Sequence, residues 1–336
     1  MKYGFRPSCG QQILRLFQAF RRSFNCLDPA ENVLLRRFAL LSVITFYILG
    51  STLSDFLCRV FIMQYKYTFP VFLAFGEVLL TLLVLKLLRR MGWASMKPYS
   101  MHVGEQFLVP SICFSFQAVL DFWAVCYVHS RLFCMIQHLI PIACLAWEYS
   151  LGMPYACSFR VRLLVMIISV FSFLQDIQSL QDDYLAIVYS LLSLLLDSLY
   201  LRWLQMTIQM QSHCSTSVMD VYYTIIVNSS LVLGLLWILQ MDYSQAIAQG
   251  SWNSLIFMGY LLAALGLGSL FRFLICWTVL RGSAITASIM KLAKENFNLI
   301  KGLWSSSMPA SLISPSGMVL YAYWIITGKT KLVMDS

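Results

Sequence analysis

Charged residues are scarce in this 336-residue chain, at 12% of the sequence against about a quarter in ordinary soluble domains. Hydrophobic residues make up 59%, and the mean hydropathy is +0.72. So few charges cannot cover a water-soluble globule, and we therefore predict an integral membrane protein. The net charge of +9 does not indicate a nucleic-acid partner, because most of the charges lie between apolar runs, where they act as topology signals.

Patterns that hold metals or disulfides are also lacking. Most of the ten cysteines lie within apolar runs, no CxxC pair occurs, and the four histidines are scattered. We expect no metal, no cofactor and no disulfide framework, because buried thiols behave as small hydrophobic side chains. The acidic doublet Asp182-Asp183 lies in a connection without partner carboxylates. A magnesium-dependent enzyme acting on lipid-linked phosphates is therefore a minor alternative, and we expect no catalytic residues.

Apolar windows of about twenty residues predict ten spanning helices. They lie at 38–63, 68–89, 106–127, 131–151, 160–176, 184–205, 219–240, 253–280, 283–303 and 308–327. Lysine and arginine concentrate before the first span, in the second and fourth connections, and after the last span. Because basic connections stay in the cytosol, this asymmetry predicts a multi-pass protein with both termini cytosolic.

The ten-helix domain at 38–327 is flanked by a basic cytosolic segment at 1–37 and a cytosolic tail at 328–336. Within the first segment, "QQILRLFQAFRRSFN" places its apolar side chains along one face of a helix, namely Ile13, Leu16, Phe17, Phe20 and Phe24. This pattern favours an amphipathic helix on the cytosolic leaflet, with a flexible basic tail as the alternative. We expect no cleavable signal peptide.

The ninth predicted span carries charges that a lipid-facing helix does not tolerate. On a helix, Lys294 lies about 60° and Asn298 about 20° from Lys291, so the three share one polar arc. Each lysine at mid-membrane costs on the order of 2.5–3.5 kcal/mol on insertion scales, so this arc must face protein or water. Glu295 can neutralise one lysine, which leaves at least one positive charge unmatched. Two adjacent amines suit a phosphate or pyrophosphate group.

Other polar residues inside the spans indicate a lined cavity. Asp55 and Arg59 are four residues apart in the first span and are predicted to pair with each other. Each of the remaining residues, taken alone, favours a polar contact between helices, but their number favours a cavity. They are Gln117, Asp121, Gln137, His138, Glu148, Asp197 and Arg272.

The stretch "SAITASIMKLAK" (283–294) resembles the start of the ninth helix in the nucleotide-sugar transporter and triose-phosphate translocator branch of the drug/metabolite transporter superfamily. "YTFPVFLAFGEVLL" (67–80) and "YVHSRLFCMIQHLIPIACLAWEYSLG" (127–152) are similar to the second and fourth spans of that family. Lys294 takes the place of the family lysine. Lys291 stands where the family usually has glycine, and Gln137-His138 stand where its fourth span often has a basic residue.

The resemblance implies an all-α membrane protein with ten transmembrane helices as a 5+5 inverted repeat and a site near the midplane. It implies an antiporter, not an enzyme, that carries a nucleotide sugar into the Golgi or endoplasmic reticulum lumen in exchange for nucleoside monophosphate. The implied substrate-binding residues are Lys291, Lys294, Ser283, Thr286, Ser288, Asn298, Tyr127, Gln137, His138 and Arg272. Two alternatives remain open: a carrier of another phosphorylated metabolite, and a scaffold or regulator that does not transport. A monomer and a homodimer both remain open, as do the sugar and the base.

Overall fold

The structure is a computed structural model that describes residues 33–94, 96–127, 130–152, 158–176, 184–210, 217–240, 243–303 and 313–326. Every regular element in these ranges is a helix, so the predicted all-α class is confirmed for this part of the chain. The predicted amphipathic segment at 11–25 and the tail at 328–336 lie outside the described residues.

Thirteen helices occupy the described ranges. They are α1 (Val33–Tyr65), α2 (Pro70–Arg90), α3 (Met101–Gln106), α4 (Leu108–Tyr127), α5 (Ser130–Gln137), α6 (Ile140–Ser150), α7 (Phe159–Asp176), α8 (Tyr184–Met210), α9 (Val218–Leu239), α10 (Tyr243–Gln249), α11 (Leu255–Arg281), α12 (Ala284–Leu303) and α13 (Ile313–Ile326). The short helices α3 and α10 lie in connections between long ones.

Seven helical segments in the described ranges are long and apolar enough to cross a membrane, which supports a multi-pass membrane protein; one of them, Leu132–Ser150, covers the two shorter helices α5 and α6. They are Arg37–Tyr65, Pro70–Arg90, Leu108–Tyr127, Leu132–Ser150, Tyr184–Met210, Val218–Leu239 and Leu255–Arg281. Three predicted spans do not meet these requirements of length and apolar composition. Helices α7 and α12 carry too many charged residues, and α13 is described over only 14 residues.

The predicted fourth span is two helices, α5 and α6, with a break at His138 and Leu139. Pro141 lies in the first turn of α6 and has no backbone N–H to donate to the preceding turn, so the helix cannot continue through it. Immediately before the break, the amides of His138 and Leu139 bond to the carbonyls of Met135 and Ile136 in tighter turns.

The long helices pack in a defined set of neighbours. Helix α4 packs along α8, and α11 packs along α1. Helix α9 lies between α2 and α4, while α11 also contacts α2. Helices α5 and α6 pack on α8, α12 packs on α1 and α6, and α7 packs on α13. Aromatic contacts fill the interior, such as Phe114 with Tyr200 at 5.6 Å and Tyr47 edge-on to Phe271 at 5.7 Å between ring centres.

Candidate functional site

A cavity of about 220 Å³ lies inside the helix bundle and is lined by α1, α2, α4, α5, α6, α8, α11 and α12. Its walls are apolar apart from a few polar groups and eight charged side chains. Four of these are basic and four acidic, so their formal charges cancel: Arg59, Arg272, Lys291, Lys294, Asp55, Glu77, Asp121 and Asp197. A cavity of this kind holds either internal ion pairs or a polar ligand that takes their place.

Lys291 of α12 is held by a carboxylate from α8. Its Nζ lies 2.6 Å and 2.7 Å from the two oxygens of Asp197. Ser193, one turn before Asp197, accepts a 2.9 Å hydrogen bond from Gln137 at the end of α5. The lysine side chain is only 14% exposed, so the pair is shielded from water and is stronger than a surface salt bridge.

Lys294, one turn further along α12, is held by a carboxylate from α1. Its Nζ lies 2.8 Å from Oδ2 of Asp55, whose side chain is 38% exposed. The expectation that at least one of the two lysines is unmatched is therefore wrong. Asp55 was expected to pair with Arg59, and its carboxylate instead contacts Lys294. The side chain of Glu295, the other expected partner, lies outside the described residues.

Arg272 of α11 lies between two carboxylates. Its Nε is 2.8 Å from Oε1 of Glu77, and its Nη2 is 3.8 Å from Oδ2 of Asp121. The same Asp121 oxygen accepts a 2.8 Å hydrogen bond from the Gln117 amide, and the guanidinium lies 5.1 Å from the Phe114 ring centre. The sequence pattern did not single out Glu77, although a lone acid in the otherwise apolar α2 is itself a sign of a buried polar site.

Arg59 is the exception among the four basic residues of the cavity. Its side chain is exposed and lines the cavity near the end of α1. Within the part of the chain that the structure describes, Arg59 forms no salt bridge. It is therefore the lining cation most able to accept an incoming anion without first releasing a carboxylate.

Four of the ten residues predicted to bind substrate come together at this cavity: Lys291, Lys294, Gln137 and Arg272. They come from α12, α5 and α11, so the structure brings the fourth and ninth predicted spans to one cavity. Five further acids and bases line the cavity with them; four are polar residues that the sequence placed inside the spans without assigning them to substrate, and Glu77 was not predicted. The five are Asp55, Arg59, Glu77, Asp121 and Asp197.

Three predicted hydroxyl ligands lie elsewhere, packed around the start of α12. The Ser283 and Thr286 hydroxyls are 2.9 Å apart, and Thr286 is 3.1 Å from the Tyr321 hydroxyl of α13. Ser288 donates to the Ile285 carbonyl at 2.8 Å. None of the three lines the cavity, because this turn of α12 is buried against neighbouring helices.

The last three predicted ligands are also separate from the cavity as described. His138 is completely buried at the break between α5 and α6. Tyr127 is 56% exposed at the end of α4, where its hydroxyl donates to the Thr68 carbonyl at 2.9 Å. The side chain of Asn298 lies outside the described residues.

A second buried polar cluster lies beyond the cavity, at the end of the bundle where α12 begins. Nη2 of Arg202 lies 3.1 Å from Oε2 of Glu148, and both side chains are 1% exposed. Nη1 of Arg202 donates to Oε1 of Gln205 at 3.0 Å, and the same oxygen accepts the backbone N–H of Ala284 at 2.9 Å. The cluster thus ties the ends of α6 and α8 to the first turn of α12 and seals this end.

The basic side chains of the cavity are suited to bind an anionic group. In the described ranges, no group of three or more His, Cys, Asp or Glu could hold a metal ion. The lysines and arginines can bind phosphate oxygens once their carboxylate partners move aside. No family model matches the chain, and no curated protein matches it significantly.

Proposed function

We propose that the protein is a secondary transporter that exchanges a nucleotide sugar for nucleoside monophosphate across a Golgi or endoplasmic reticulum membrane. The observation that carries the proposal is that Lys291 and Lys294 both face one internal cavity deep in an apolar helix bundle. Intramembrane lysines that face a cavity mark substrate pathways far more often than lipid contacts. Both proposed substrates carry phosphate, so one set of amines serves transport in both directions.

A ten-helix inverted repeat fits the helix packing. We number the ten spans as α1, α2, α4, α5 with α6, α7, α8, α9, α11, α12 and α13. An inverted repeat relates each span to the span five places later, so every contact should have a counterpart. The contact of α4 with α8 has its counterpart in that of α11 with α1, and the contact of α4 with α9 has its counterpart in that of α11 with α2. The contact of α5 and α6 with α8 has its counterpart in that of α12 with α1. Repeats of five helices have opposite orientations in the membrane, and carriers of this type bind substrate between them.

The proposed binding step is an exchange of partners. Phosphate oxygens of the substrate replace the carboxylates of Asp55 and Asp197 on the two lysines, and Arg59 attracts the anion as it enters. The exchange is feasible because a diphosphate offers several acceptors and a higher charge than a carboxylate. The nucleoside and sugar then lie against the apolar part of the lining, formed by Phe114, Phe122 and Phe133. The bundle has to widen to admit them, because 220 Å³ is below the usual size of a ligand pocket.

The cavity is placed for access from one side at a time. Its lining residues on α1 and α4 lie from the middle toward the ends of those helices, and those of the fourth predicted span lie mainly in its first half, on α5. With cytosolic termini, that end of the bundle is lumenal, and the Arg202–Glu148 cluster closes the cytosolic end. Transport then requires the two halves to rock, so that this cluster opens as the lumenal end closes.

Exchange assays in liposomes test the proposal. Purified protein is reconstituted with UMP, GMP or CMP inside, and uptake of radiolabelled UDP-, GDP- and CMP-linked sugars is measured. We expect uptake of one nucleotide class, and its loss in the double variant Lys291→Ala, Lys294→Ala. Lys86→Ala is the matched control, because Lys86 is exposed on α2 outside the cavity. Uptake that survives the double substitution would reject this mechanism.

One observation favours the alternative of a scaffold or regulator that does not transport. Each cavity lysine already has a carboxylate partner, and such pairs can serve only to fix helix packing. A ligand-binding assay separates the two functions. A transporter is stabilised against heat by its nucleotide sugar and by the matching monophosphate, whereas a scaffold is stabilised by neither.

A further inference from the structure

We infer that the protein also performs net one-way transport of its nucleotide substrate, because Asp55 and Asp197 neutralise the empty site and let the unloaded carrier reorient. The inference rests on the proposed function and assigns to these two aspartates a role that the exchange reaction alone does not require. An exchanger needs only groups that hold the cargo, whereas a carrier that returns empty must also manage the charge that the cargo leaves behind.

The charge of the empty site decides between strict exchange and net transport. A cavity with uncompensated ammonium groups is unfavourable in a low-dielectric bundle once it is closed to water on both sides. Reorientation passes through such a closed state. A carrier whose empty site holds unpaired lysines therefore crosses only when loaded and is restricted to one-for-one exchange.

The geometry shows no such unpaired lysine at this site. Lys291 contacts both oxygens of Asp197 at 2.6 Å and 2.7 Å, and Lys294 contacts Asp55 at 2.8 Å. The formal charges of the eight lining residues sum to zero without any ligand. The empty cavity is thus already in the electrical state that favours closing.

The position of Asp197 lets its pair with Lys291 survive reorientation. Helix α12, which carries both lysines, packs directly on α8, which carries Asp197, and both helices belong to the second five-helix half. Helix α12 also packs directly on α1, which carries Asp55, so the Lys294–Asp55 pair joins the two halves. A substitution that removes either carboxylate leaves its lysine buried without that partner.

The two aspartates differ in exposure, and we therefore expect them to contribute differently to the return of the empty carrier. The Asp197 side chain is 2% exposed and holds its lysine from the buried side, whereas Asp55 is 38% exposed and can turn into the cavity. Loss of Asp197 is expected to impair return of the empty carrier more than loss of Asp55. Exchange should depend less on the two carboxylates than return of the empty carrier does, because the substrate phosphates supply negative charge in the loaded state.

The experiment compares uptake into empty liposomes with uptake into liposomes preloaded with UMP, GMP or CMP. Wild type, Asp55→Asn and Asp197→Asn are assayed side by side at the same pH. We expect wild type to take up labelled nucleotide sugar into empty liposomes. In Asp197→Asn, the ratio of preloaded to empty uptake should rise by about tenfold or more, given the cost of an unpaired intramembrane charge. Glu105→Gln, an exposed acid on α3, is the control.

The ratio of preloaded to empty uptake compares the same variant with itself, so a smaller amount of folded protein lowers both values equally and leaves the ratio unchanged. Asp197→Glu, which keeps the carboxylate, should restore net uptake and provides the test if Asp197→Asn does not fold. Exchange by wild type without uptake into empty liposomes overturns this inference and leaves the exchange function standing. Net uptake by Asp197→Asn equal to that of Glu105→Gln also overturns it. Absence of any exchange by wild type rejects the proposed function itself.

Discussion

Individual charged residues in this bundle find their partners across helices, not along them. Spacing of four residues predicted that Asp55 pairs with Arg59 and that Glu295 neutralises Lys291. In the structure, Lys294 is the residue that contacts Asp55, and Asp197, 94 residues away, contacts Lys291. Pairs at that spacing contribute only about 0.2–0.5 kcal/mol on a helix. A buried lysine needs a shielded, well-placed carboxylate, and helix packing determines which one it meets.

The Arg202–Glu148 pair provides a stability prediction at this scale. Both side chains are 1% exposed, so Arg202→Met leaves Glu148 buried without its guanidinium. Breaking a buried pair in this way costs about 3–5 kcal/mol. We expect Arg202→Met to lower the melting temperature in detergent strongly, as measured by intrinsic tryptophan fluorescence during heating.

A second substitution separates lost charge pairing from lost packing. Arg202→Met combined with Glu148→Gln removes both charges, and we expect it to recover most of the stability lost by Arg202→Met alone. Arg90→Met makes the same change of side chain at an exposed position of α2 and should have little effect. If the double variant is as unstable as the single one, charge burial is not the cause.

At the scale of whole elements, apolar runs predicted most of the helices. The seven long apolar helices coincide with predicted spans, because twenty apolar residues have few other stable arrangements in lipid. The break between α5 and α6 was not predicted, although Pro141 is a visible signal for it. One proline can kink a helix or end it, and the outcome depends on what packs beside it.

Helix α11 offers a matched pair of glycines for testing its contact with α2. A Cβ at Gly268 would lie 3.0 Å from Oε1 and 3.1 Å from Cδ of Glu77, whereas one at Gly266 would meet nothing within 4 Å. Gly268→Val should therefore push Glu77 away from Arg272. Gly266→Val changes the helix propensity in the same way, but its side chain does not collide with Glu77. We expect only Gly268→Val to lower both the melting temperature and the rate of nucleotide exchange.

Equal effects of the two valine substitutions would contradict this assignment, because helix propensity and lipid contact would then explain both. Replacing Glu77 by Gln in the Gly268→Val background gives a further check. That variant should be about as active as Gly268→Val alone, since the Glu77–Arg272 pair would already be disrupted.

At the scale of the whole molecule, one polar arc on α12 was enough to predict a central cavity, but not its full lining. Helical periodicity places Lys291 and Lys294 on one side, and the structure has both at the cavity. The acids that face them come from α1 and α8, and no rule based on spacing connects those positions. The hydroxyls at the start of α12 were assigned to substrate by resemblance, and in the structure they pack at the sealed end. Their role in binding stays a prediction.

The position of the cavity along the bundle predicts which side of the membrane reaches it. Cys58 and Cys134 line the cavity toward the end where α1 ends and α5 begins, whereas Cys113 and Cys276 are buried and do not line it. With cytosolic termini, a membrane-impermeant thiol reagent should modify Cys58 and Cys134 from the lumenal side much faster than from the cytosolic side. Mass spectrometry of sealed vesicles of each orientation would identify the modified residues, with Cys113 and Cys276 as internal controls.

The transported nucleotide should slow modification of Cys58 and Cys134, because it fills the same cavity. Faster modification from the cytosolic side would reverse the assigned orientation, and equal modification of all four cysteines would contradict the sealed bundle.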